Sequence, residues 1–349
     1  MDAAFIRPKG GFGDVLCISV AVRLFKEAHP DCHIDFFCPS PFIQAICGHP
    51  DIRTLYECDY VQFNTREGPP SRWWRKLAWQ DYVLCFEMLG PEIKVEWAQA
   101  PNISMHRIEM WCEAVGVDYD GITQPVYKIT PLERKIANWQ WKELGLPTPG
   151  QNVPLVGLQT GSANIEKDWP LEKWKELQEM LAKDGVHCCL FGKNKKLMWE
   201  NEHTTAFRTQ SFRESAALAA KMDLIISPDS AYHHLAPALG VPSIALFGPT
   251  DAWLAPEDST PWGPEFVHHV YPDCLVVSKS AERGCQCWFE KTTSCSWGEH
   301  LRGRREMGVR RSPAPCMREI SAEEVFVYAT AKMQMPQRKY GTETFAASV

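Results

Sequence analysis

A carboxylate, a hydroxyl and an imidazole lie within six residues of one another at Asp229, Ser230 and His234. They follow an apolar run at 224–226 and open a short helical pattern, which is followed by a second apolar run at 243–247. This order predicts a strand, a turn, a helix and a strand. Asp229 would lie at the carboxyl end of its strand, where open α/β sheets bind their ligands, and it can accept hydrogen bonds from ribose or sugar hydroxyls.

The same turn would leave the backbone amides of Ser230, Ala231 and Tyr232 at the positive end of a helix. Such an N terminus favours a bound phosphate or sugar diphosphate, and His234, one turn further on, can face the same crevice. The alternative interpretation is that Asp229 and Ser230 only cap the helix and that the histidine is structural. Both interpretations fit this segment taken alone.

A second candidate is the glycine-rich loop RPKGGFGD, which follows a short apolar strand at 3–6. Gly10, Gly11 and Gly13 allow the backbone to pass close to a ligand, and Asp14 stands at the start of a helical pattern. These glycines lack the G-x-G-x-x-G spacing of a dinucleotide site, which argues against a nicotinamide cofactor. The alternative for Asp14 is a first-turn residue that complements the helix dipole, worth up to about 1 kcal/mol.

An irregular segment at 63–79 is the candidate acceptor site, because long loops in α/β domains often carry function. Trp73 and Trp74 can stack on sugar rings, while Arg66 and Arg72 can pair with acceptor phosphates. Gly11 and Gly13 are added to this acceptor set because their backbone can approach the acceptor closely. The alternative is a tryptophan pair that packs the loop onto its own domain.

Cysteines and arginines are concentrated near the C-terminal end. Cys285, Cys287, Cys295 and Cys316 can form a zinc site, although their spacing matches no common zinc motif. The arginines between 302 and 311 are expected to form a solvated loop rather than a nucleic-acid arm, because the whole chain is acidic.

Composition limits the class of protein. The chain has 349 residues, 45% of them hydrophobic, and a formal net charge of -6, which argues against a general polyanion binder. No run approaches the roughly 18 apolar residues of a membrane span, and the N terminus does not have a secretion signal pattern. The 14 scattered cysteines are typical of reduced thiols, so a cytoplasmic protein is expected.

Strands and helices alternate along the chain, which predicts an α/β fold with parallel sheets. The glycine- and proline-rich stretch 145–150 is the expected boundary between a first domain, 1–150, and a second, 151–320. A C-terminal helix and a loose tail make up 321–349, and this helix is expected to be able to pack back on the first domain. Strands are predicted at 3–6, 33–38, 82–86, 155–160, 186–191, 224–226 and 243–247, and helices at 15–25, 42–47, 104–115, 131–144, 170–183, 213–222 and 321–333.

Three motifs together resemble the ADP-heptose:lipopolysaccharide heptosyltransferase family. They are R-x-x-G-G-x-G-D at 7–14, T-G-S-A-N-x-x-K-x-W-P at 160–170, and S-P-D-S-x-x-x-H-L-A-x-A-L-G-V-P-x-I-A-L-F-G-P-T-D at 227–251. The resemblance covers most of residues 1–330. It implies a GT-B fold, in which two Rossmann-like domains face each other across a cleft, and an inverting glycosyltransferase that needs no metal.

The resemblance also implies roles for individual residues. Asp14 would be the general base, Lys167 would contact the donor phosphates, and Ser162 would belong to a phosphate-contacting pair. Asp229 would bind the donor in the turn that it forms with Ser230 and Ala231. His234 keeps its place as a donor-site candidate.

This sequence departs from the family pattern at three positions. Ala163 stands where a hydroxylic residue is usual, Ala231 replaces a glycine, and Val20 stands where proline is frequent. These departures indicate a divergent member whose donor or acceptor need not be heptose or lipopolysaccharide.

The resulting hypothesis is transfer of a sugar from a nucleotide diphosphate sugar to the hydroxyl of a glycan or other acceptor. One alternative is a glycosyltransferase that acts on modified nucleic-acid bases. Another is a catalytically silent nucleotide-sugar-binding protein, and a GT-B epimerase is a further possibility.

Overall fold

The computed structural model describes residues 1–58, 82–91, 94–95, 105–119, 124–147, 153–248, 271, 273–279 and 313–334. Its strands are β1 (Asp2–Ile6), β2 (His33–Cys38), β3 (Ile52–Glu57), β4 (Leu84–Glu87), β5 (Leu155–Gln159), β6 (His187–Phe191), β7 (Thr204–Ala206), β8 (Leu224–Pro228), β9 (Ser243–Phe247) and β10 (Cys274–Ser278). Its helices are α1 (Phe12–Ala28), α2 (Ser40–Ile43), α3 (Arg107–Val115), α4 (Pro131–Glu143), α5 (Leu171–Lys183), α6 (Phe212–Ala219), α7 (Ala231–Ala238), α8 (Pro315–Glu319) and α9 (Ala322–Gln334).

The first sheet has the strand order β3-β2-β1-β4, and its strand pairs are parallel. β1 lies in its interior and is apolar and buried over most of its length, as a strand covered on both faces should be. This sheet belongs to the first half of the chain, before residue 150, and the second sheet belongs to the half that follows. The strands predicted for the first half are confirmed within a few residues. β3 was not predicted, because it lies at the edge of the sheet and its sequence IRTLYE mixes apolar and charged residues.

The second sheet has the order β10-β9-β8-β5-β6-β7 and is also parallel. Its four inner strands are the four that the apolar runs predicted. The two strands that were missed, β7 and β10, are those at the edges, and β7 has only three residues. The prediction of an α/β fold with parallel sheets in both halves is therefore confirmed.

The C-terminal helix α9 packs against α5 and β8 of the second half. Its buried residues Ala322, Val325 and Ala329 join the hydrophobic core of that half. Just before it, the carbonyl of Ile320 accepts hydrogen bonds from Trp169 Nε1 at 3.1 Å and from a lysine on α5 at 2.6 Å. In the described residues, the apolar face of this helix therefore packs on the core of the second half.

The two halves touch extensively. A continuous cluster of buried residues runs from the first sheet, for example Phe5, to the second, for example Phe191. Helices α1 and α7 pack against each other, and Phe12 at the start of α1 stacks on Phe212 of α6 with ring centroids 4.4 Å apart. No helix in the described ranges combines the length and apolar character that a membrane crossing requires.

Candidate functional site

A cleft of about 860 Å³ lies between the halves at the carboxyl ends of strands from both sheets. It is lined from the first half by the glycine-rich loop and the start of α3, and from the second half by the segments that follow β5, β6 and β8. The lining includes the predicted residues Gly11, Gly13, Asp14, Ser162, Lys167, Asp229, Ser230, Ala231 and His234. Residues far apart in the sequence thus meet in one cleft.

Asp14, in the first turn of α1, is held at both carboxylate oxygens. Oδ2 accepts a hydrogen bond from the Gly11 amide at 2.7 Å and lies 3.3 Å from Arg7 Nη2, while Oδ1 accepts from Arg107 Nη1 at 2.8 Å. Burial by itself raises the pKa of Asp14, but the two arginines and the amide outweigh it and hold this pKa below its ordinary value. Asp14 is therefore ionised at neutral pH.

The geometry of the glycine-rich loop explains why residue 10 is a glycine. Gly10 has φ +143°, and a Cβ there would lie 2.7 Å from both Arg7 Nη2 and Asp14 Oδ2. Any side chain at this position would separate the carboxylate from its buried cation. The sequence placed Asp14 in the site, but it assigned no role to the arginine that opens the same motif.

Arg107 is a site residue that the sequence analysis missed. It is the first residue of α3, lines the cleft, and reaches Asp14 across 93 positions of sequence. Its neighbour His106 caps the helix by accepting from the Ile108 amide, and burial lowers the pKa of His106 to about 3. No local pattern marks Arg107, since an arginine at a helix start is normally solvated.

Lys167 and Asp229, both predicted donor contacts, form an ion pair with 2.6 Å between Nζ and Oδ2. Each keeps less than a fifth of its side chain exposed, at 17% and 19%. Lys167 ends a single turn of 3₁₀ helix, Ile165–Lys167, which carries it from the end of β5 towards the end of β8. The pair places one cation and one hydrogen-bond acceptor beside each other on the second half of the cleft.

Ser162 uses its hydroxyl within its own loop, where Oγ donates to the Asn164 carbonyl at 2.7 Å. Its amide donates to Asp168 Oδ1 at 2.6 Å, and Asp168 is a further cleft residue that the sequence did not single out. Burial raises the pKa of Asp168, while its contacts with Ser162 oppose that effect. Both residues stabilise the loop that presents Lys167.

The N terminus of α7 differs from the prediction in one respect. The Tyr232 amide, expected to be available to a ligand, donates to the side chain of Ser230, which caps the helix, at 3.3 Å. The Tyr232 hydroxyl is hydrogen-bonded to Ser215 in the core. The Ser230 side chain therefore caps the helix, which was the alternative interpretation. Of the three amides predicted to bind a phosphate, those of Ser230 and Ala231 remain candidates.

His234 faces the first half of the chain. Its Nδ1 lies 2.8 Å from the Tyr271 hydroxyl and 3.2 Å from Cys17 Sγ on α1. A Cβ on Gly13 would lie 2.7 Å from His234 Cδ2, so glycine allows α1 and α7 to approach closely at this point. Burial, with a further contribution from His233, holds the pKa of His234 well below its ordinary value, and the ring is neutral at pH 7.

Several predicted residues cannot be compared with the structure. Arg66, Arg72, Trp73 and Trp74 lie outside the described residues, as do the arginines at 302–311 and three of the four candidate zinc ligands, Cys285, Cys287 and Cys295. The fourth, Cys316, is buried in the second core. Among the described residues, no group of three or more histidine, cysteine and acidic side chains is arranged to hold a metal ion.

Comparison with known sequences places the chain in a family. The family described as "Glycosyltransferase family 9 (heptosyltransferase)" matches residues 93–289, more than half of the chain. The chain belongs to glycosyltransferase family 9. The motif-based resemblance is thereby confirmed.

Curated relatives in glycosyltransferase family 9 match at modest identity. The lipooligosaccharide heptosyltransferase 2 of Haemophilus ducreyi is 32% identical over 124 residues, which are 31% of this chain and 36% of that protein. The lipopolysaccharide heptosyltransferase 1 of Pseudomonas aeruginosa is 23% identical over 221 residues, which are 59% of this chain and 56% of that protein. The matches thus cover about a third to somewhat over half of these relatives' lengths.

Solved structures show that the family 9 fold extends through the chain. The Escherichia coli ADP-heptose lipopolysaccharide heptosyltransferase II superposes with a TM-score of 0.61 at 14% identity, over 95% of this chain and 98% of that one. A glycosyltransferase family 9 structure from Veillonella parvula gives a TM-score of 0.64 at 17% identity, over 95% and 97%. The expected GT-B architecture of two Rossmann-like domains is confirmed.

Proposed function

We propose that this chain is an inverting glycosyltransferase that moves a sugar from a nucleotide diphosphate sugar to an acceptor hydroxyl. One observation carries the proposal. Asp14 from the first half, and Lys167 with the start of α7 from the second half, line the same cleft. A base and a cationic, amide-lined cradle on opposite walls are what transfer between two substrates requires.

Lys167 and the amides of Ser230 and Ala231 would act on the donor. The diphosphate gains negative charge as the bond to the sugar breaks, so these groups stabilise the transition state more than the ground state. Asp229, held beside the lysine, would orient the donor through its hydroxyl groups. Asp14 would accept the proton of the acceptor hydroxyl late in the reaction, once bond formation has made that hydroxyl acidic.

The first donor to test is ADP-heptose. One structure with TM-score 0.59 is described as the E. coli heptosyltransferase WaaC with ADP, and another, with TM-score 0.51, as the heptosyltransferase TibC with ADP-D-beta-D-heptose. Because Ala163 and Ala231 depart from the family pattern, we extend the panel to other ADP-, GDP- and UDP-sugars.

Thermal stabilisation followed by turnover tests the proposal. A true donor at a hundred times its dissociation constant adds roughly 2.7 kcal/mol to the free energy of unfolding, which is easily seen as a rise in Tm. Each stabilising donor is then assayed for release of nucleoside diphosphate, with water or added glycans as acceptor. If no member of the panel stabilises the protein or turns over, the transferase proposal fails. Stabilisation without turnover indicates the silent binding protein.

Asp14→Asn separates binding from chemistry. We expect this variant to keep its donor-induced rise in Tm and to lose about 10²- to 10⁴-fold in turnover, the usual contribution of a general base. Full activity in Asp14→Asn would contradict the assignment of Asp14 as the base.

We propose a reaction without a metal cofactor, with the zinc site at Cys285, Cys287, Cys295 and Cys316 as the alternative to test. One neighbour with TM-score 0.53, TibC from enterotoxigenic E. coli, is described as iron-containing. Metal analysis of the purified protein should therefore measure both zinc and iron. A stoichiometric metal that is lost in Cys285→Ser would establish a metal site in this loop.

The domain division at 145–150 and a cytoplasmic location also remain proposals. The boundary falls between α4 and β5. Every cysteine described in the structure is a free thiol, which fits a reducing compartment. Limited proteolysis at 145–150 and cell fractionation would test these two points.

A further inference from the structure

The two carboxylate oxygens of Asp14 have different surroundings. Oδ2 is fixed to the backbone of its own loop by the Gly11 amide and lies beside Arg7. Oδ1 is held by Arg107, a residue that lines the cleft. Oδ1 is thus held by a side chain of another helix, whereas Oδ2 is held by the loop to which Asp14 itself belongs.

The two arginines also differ. Arg7 is 1% exposed, donates to the Met88 carbonyl at 2.6 Å, and lies over the Trp111 ring with Cζ 5.4 Å from the centroid. Arg107 keeps 32% of its side chain exposed at the cleft. Arg7 is thus fixed in the core, whereas Arg107 can respond to what enters the cleft.

We propose that Arg107 is a positioning residue for Asp14, which fixes Oδ1 towards the acceptor and sets how readily that oxygen takes a proton. The inference rests on the proposed function, because it assumes that Asp14 is the base. Arg7 and Gly11 hold the other oxygen and keep the carboxylate in place.

The transfer step gives each group a defined part. The acceptor oxygen forms a bond to the anomeric carbon, and the bond from that carbon to the phosphate oxygen breaks with its electron pair on the departing nucleoside diphosphate. The acceptor proton moves to Oδ1 of Asp14. Each carboxylate oxygen has two lone pairs, so Oδ1 can take the hydroxyl proton while Arg107 still donates to it, and the positive charge of Arg107 makes Oδ1 a weaker base.

Three other titratable side chains lie near Asp14. Arg7 follows β1, Cys17 lies one turn along α1, and His234 approaches from α7. Burial keeps Cys17 protonated by raising its pKa to about 12, and keeps His234 neutral by lowering its pKa. Arg7 lowers the pKa of Asp14 more than Arg107 does, but Arg7 is buried in the core, so Arg107 is the cation that can be replaced with less disturbance of the fold.

A carbon-13 titration tests the proposal without any substrate. The full-length protein is labelled at the aspartate carboxyl carbons, and the Asp14 signal is identified as the one that Asp14→Asn removes. Its titration midpoint is then compared in wild type, Arg107→Gln, Arg107→Lys and Arg23→Gln. Arg23 is a matched control. It lies on α1, the helix that carries Asp14, about 13 Å further along the helix axis, and it pairs with Glu27.

We expect the midpoint to move to higher pH in Arg107→Gln, to return towards the wild-type value in Arg107→Lys, and to stay unchanged in Arg23→Gln. In turnover of any donor found above, the acidic limb of the pH profile should move in the same direction in Arg107→Gln. A folded Arg107→Gln protein with an unchanged Asp14 midpoint would overturn the inference. A shifted midpoint in a protein that turns over no sugar nucleotide would reject the proposed function, while leaving the Arg107–Asp14 linkage established.

Discussion

At the scale of single residues, the ion pair between Lys167 and Asp229 is the centre of the proposed donor site. Lys167 and the start of α7 line the same cleft, and the ion pair with Asp229 limits the movement of the lysine ammonium. Because Lys167 already has an anionic partner, a donor diphosphate would add a second anion to the same ammonium. The lysine would then bridge protein and donor.

Lys167→Ala should weaken donor binding. A hydrogen bond to a charged group contributes about 1.5–3 kcal/mol, so we expect the dissociation constant of the nucleoside diphosphate to rise about 10- to 150-fold. Calorimetric titration measures this change, and Lys175→Ala, at an exposed position on α5, is the control. Equal affinities in the two variants would exclude Lys167 from the donor site.

At the scale of elements, the contact between α1 and α7 decides how closely the two halves approach. Gly13 and His234 form this contact, and Cys17 and Tyr271 extend it along the interface. The same helices carry Asp14 in the first turn of α1 and the predicted phosphate-binding amides at the start of α7. The spacing of these helices therefore sets the width of the cleft.

Gly13→Ala should destabilise the protein and open the cleft. The added methyl group would lie 2.7 Å from His234 Cδ2, closer than real contacts allow, and overpacking of this kind typically reduces stability by about 1–3 kcal/mol. Thermal unfolding measures the effect. Gly11→Ala is the stability control, because its methyl group would meet Asp14 Oδ2 at an ordinary 3.8 Å. A Tm as high for Gly13→Ala as for Gly11→Ala would show that the helices can separate freely.

At the scale of the whole molecule, Arg213 of α6 holds the second half to the first. Its guanidinium makes a two-pronged contact with Glu133 of α4, at 2.7 and 2.6 Å, and donates to the carbonyls of Cys47 and Lys128. It also lies 4.8 Å from the centroid of the Tyr127 ring. One side chain therefore joins three segments of the chain to the second half.

Arg213→Gln should lower stability by about 1–3 kcal/mol, between the values for exposed and buried pairs, because the pair is partly buried and Glu133 would remain without its cation. Chemical denaturation measures the change. Arg208→Gln removes the exposed pair with Glu200 and should leave stability nearly unchanged. Equal stability of the two variants would show that Arg213 does not hold the halves together.

The pH dependence of stability follows from histidines that the folded protein holds in the neutral form. Burial lowers the pKa of His49 to about 4, of His106 to about 3 and of His233 to about 4, whereas in the unfolded chain these rings bind a proton near pH 6.5. The unfolded state then holds more protons below that pH, so the free energy of unfolding should fall as pH drops from 6.5 towards 4. Each ring contributes up to about 1.4 kcal/mol per pH unit.

Denaturant unfolding between pH 7 and 5 measures this effect in a window where most carboxylates stay ionised. A chain in which His49 is replaced by glutamine should show a shallower fall. A stability that is flat between pH 7 and 5 would contradict the buried, neutral state of these rings.

The sequence by itself determined the inner strands and the turns that carry the candidate residues Asp14 and Asp229, while Lys167 was proposed only through the family resemblance. These signals are local: an apolar run predicts a buried strand, and a glycine-rich or capping turn predicts a site at its end. The mixed sequence of the edge strand β3 hid it, because an edge strand does not need a continuous apolar run.

Only the tertiary structure decided which groups pair. Arg107 meets Asp14 across 93 positions, and Lys167 meets Asp229 across 62. An ion pair depends on where two elements bring their side chains and on how far burial removes water from them, and neither is written in the residues around either partner. The same holds for the close approach of α1 and α7. Gly13 permits this approach, but it occurs only because the tertiary structure packs these two distant helices together.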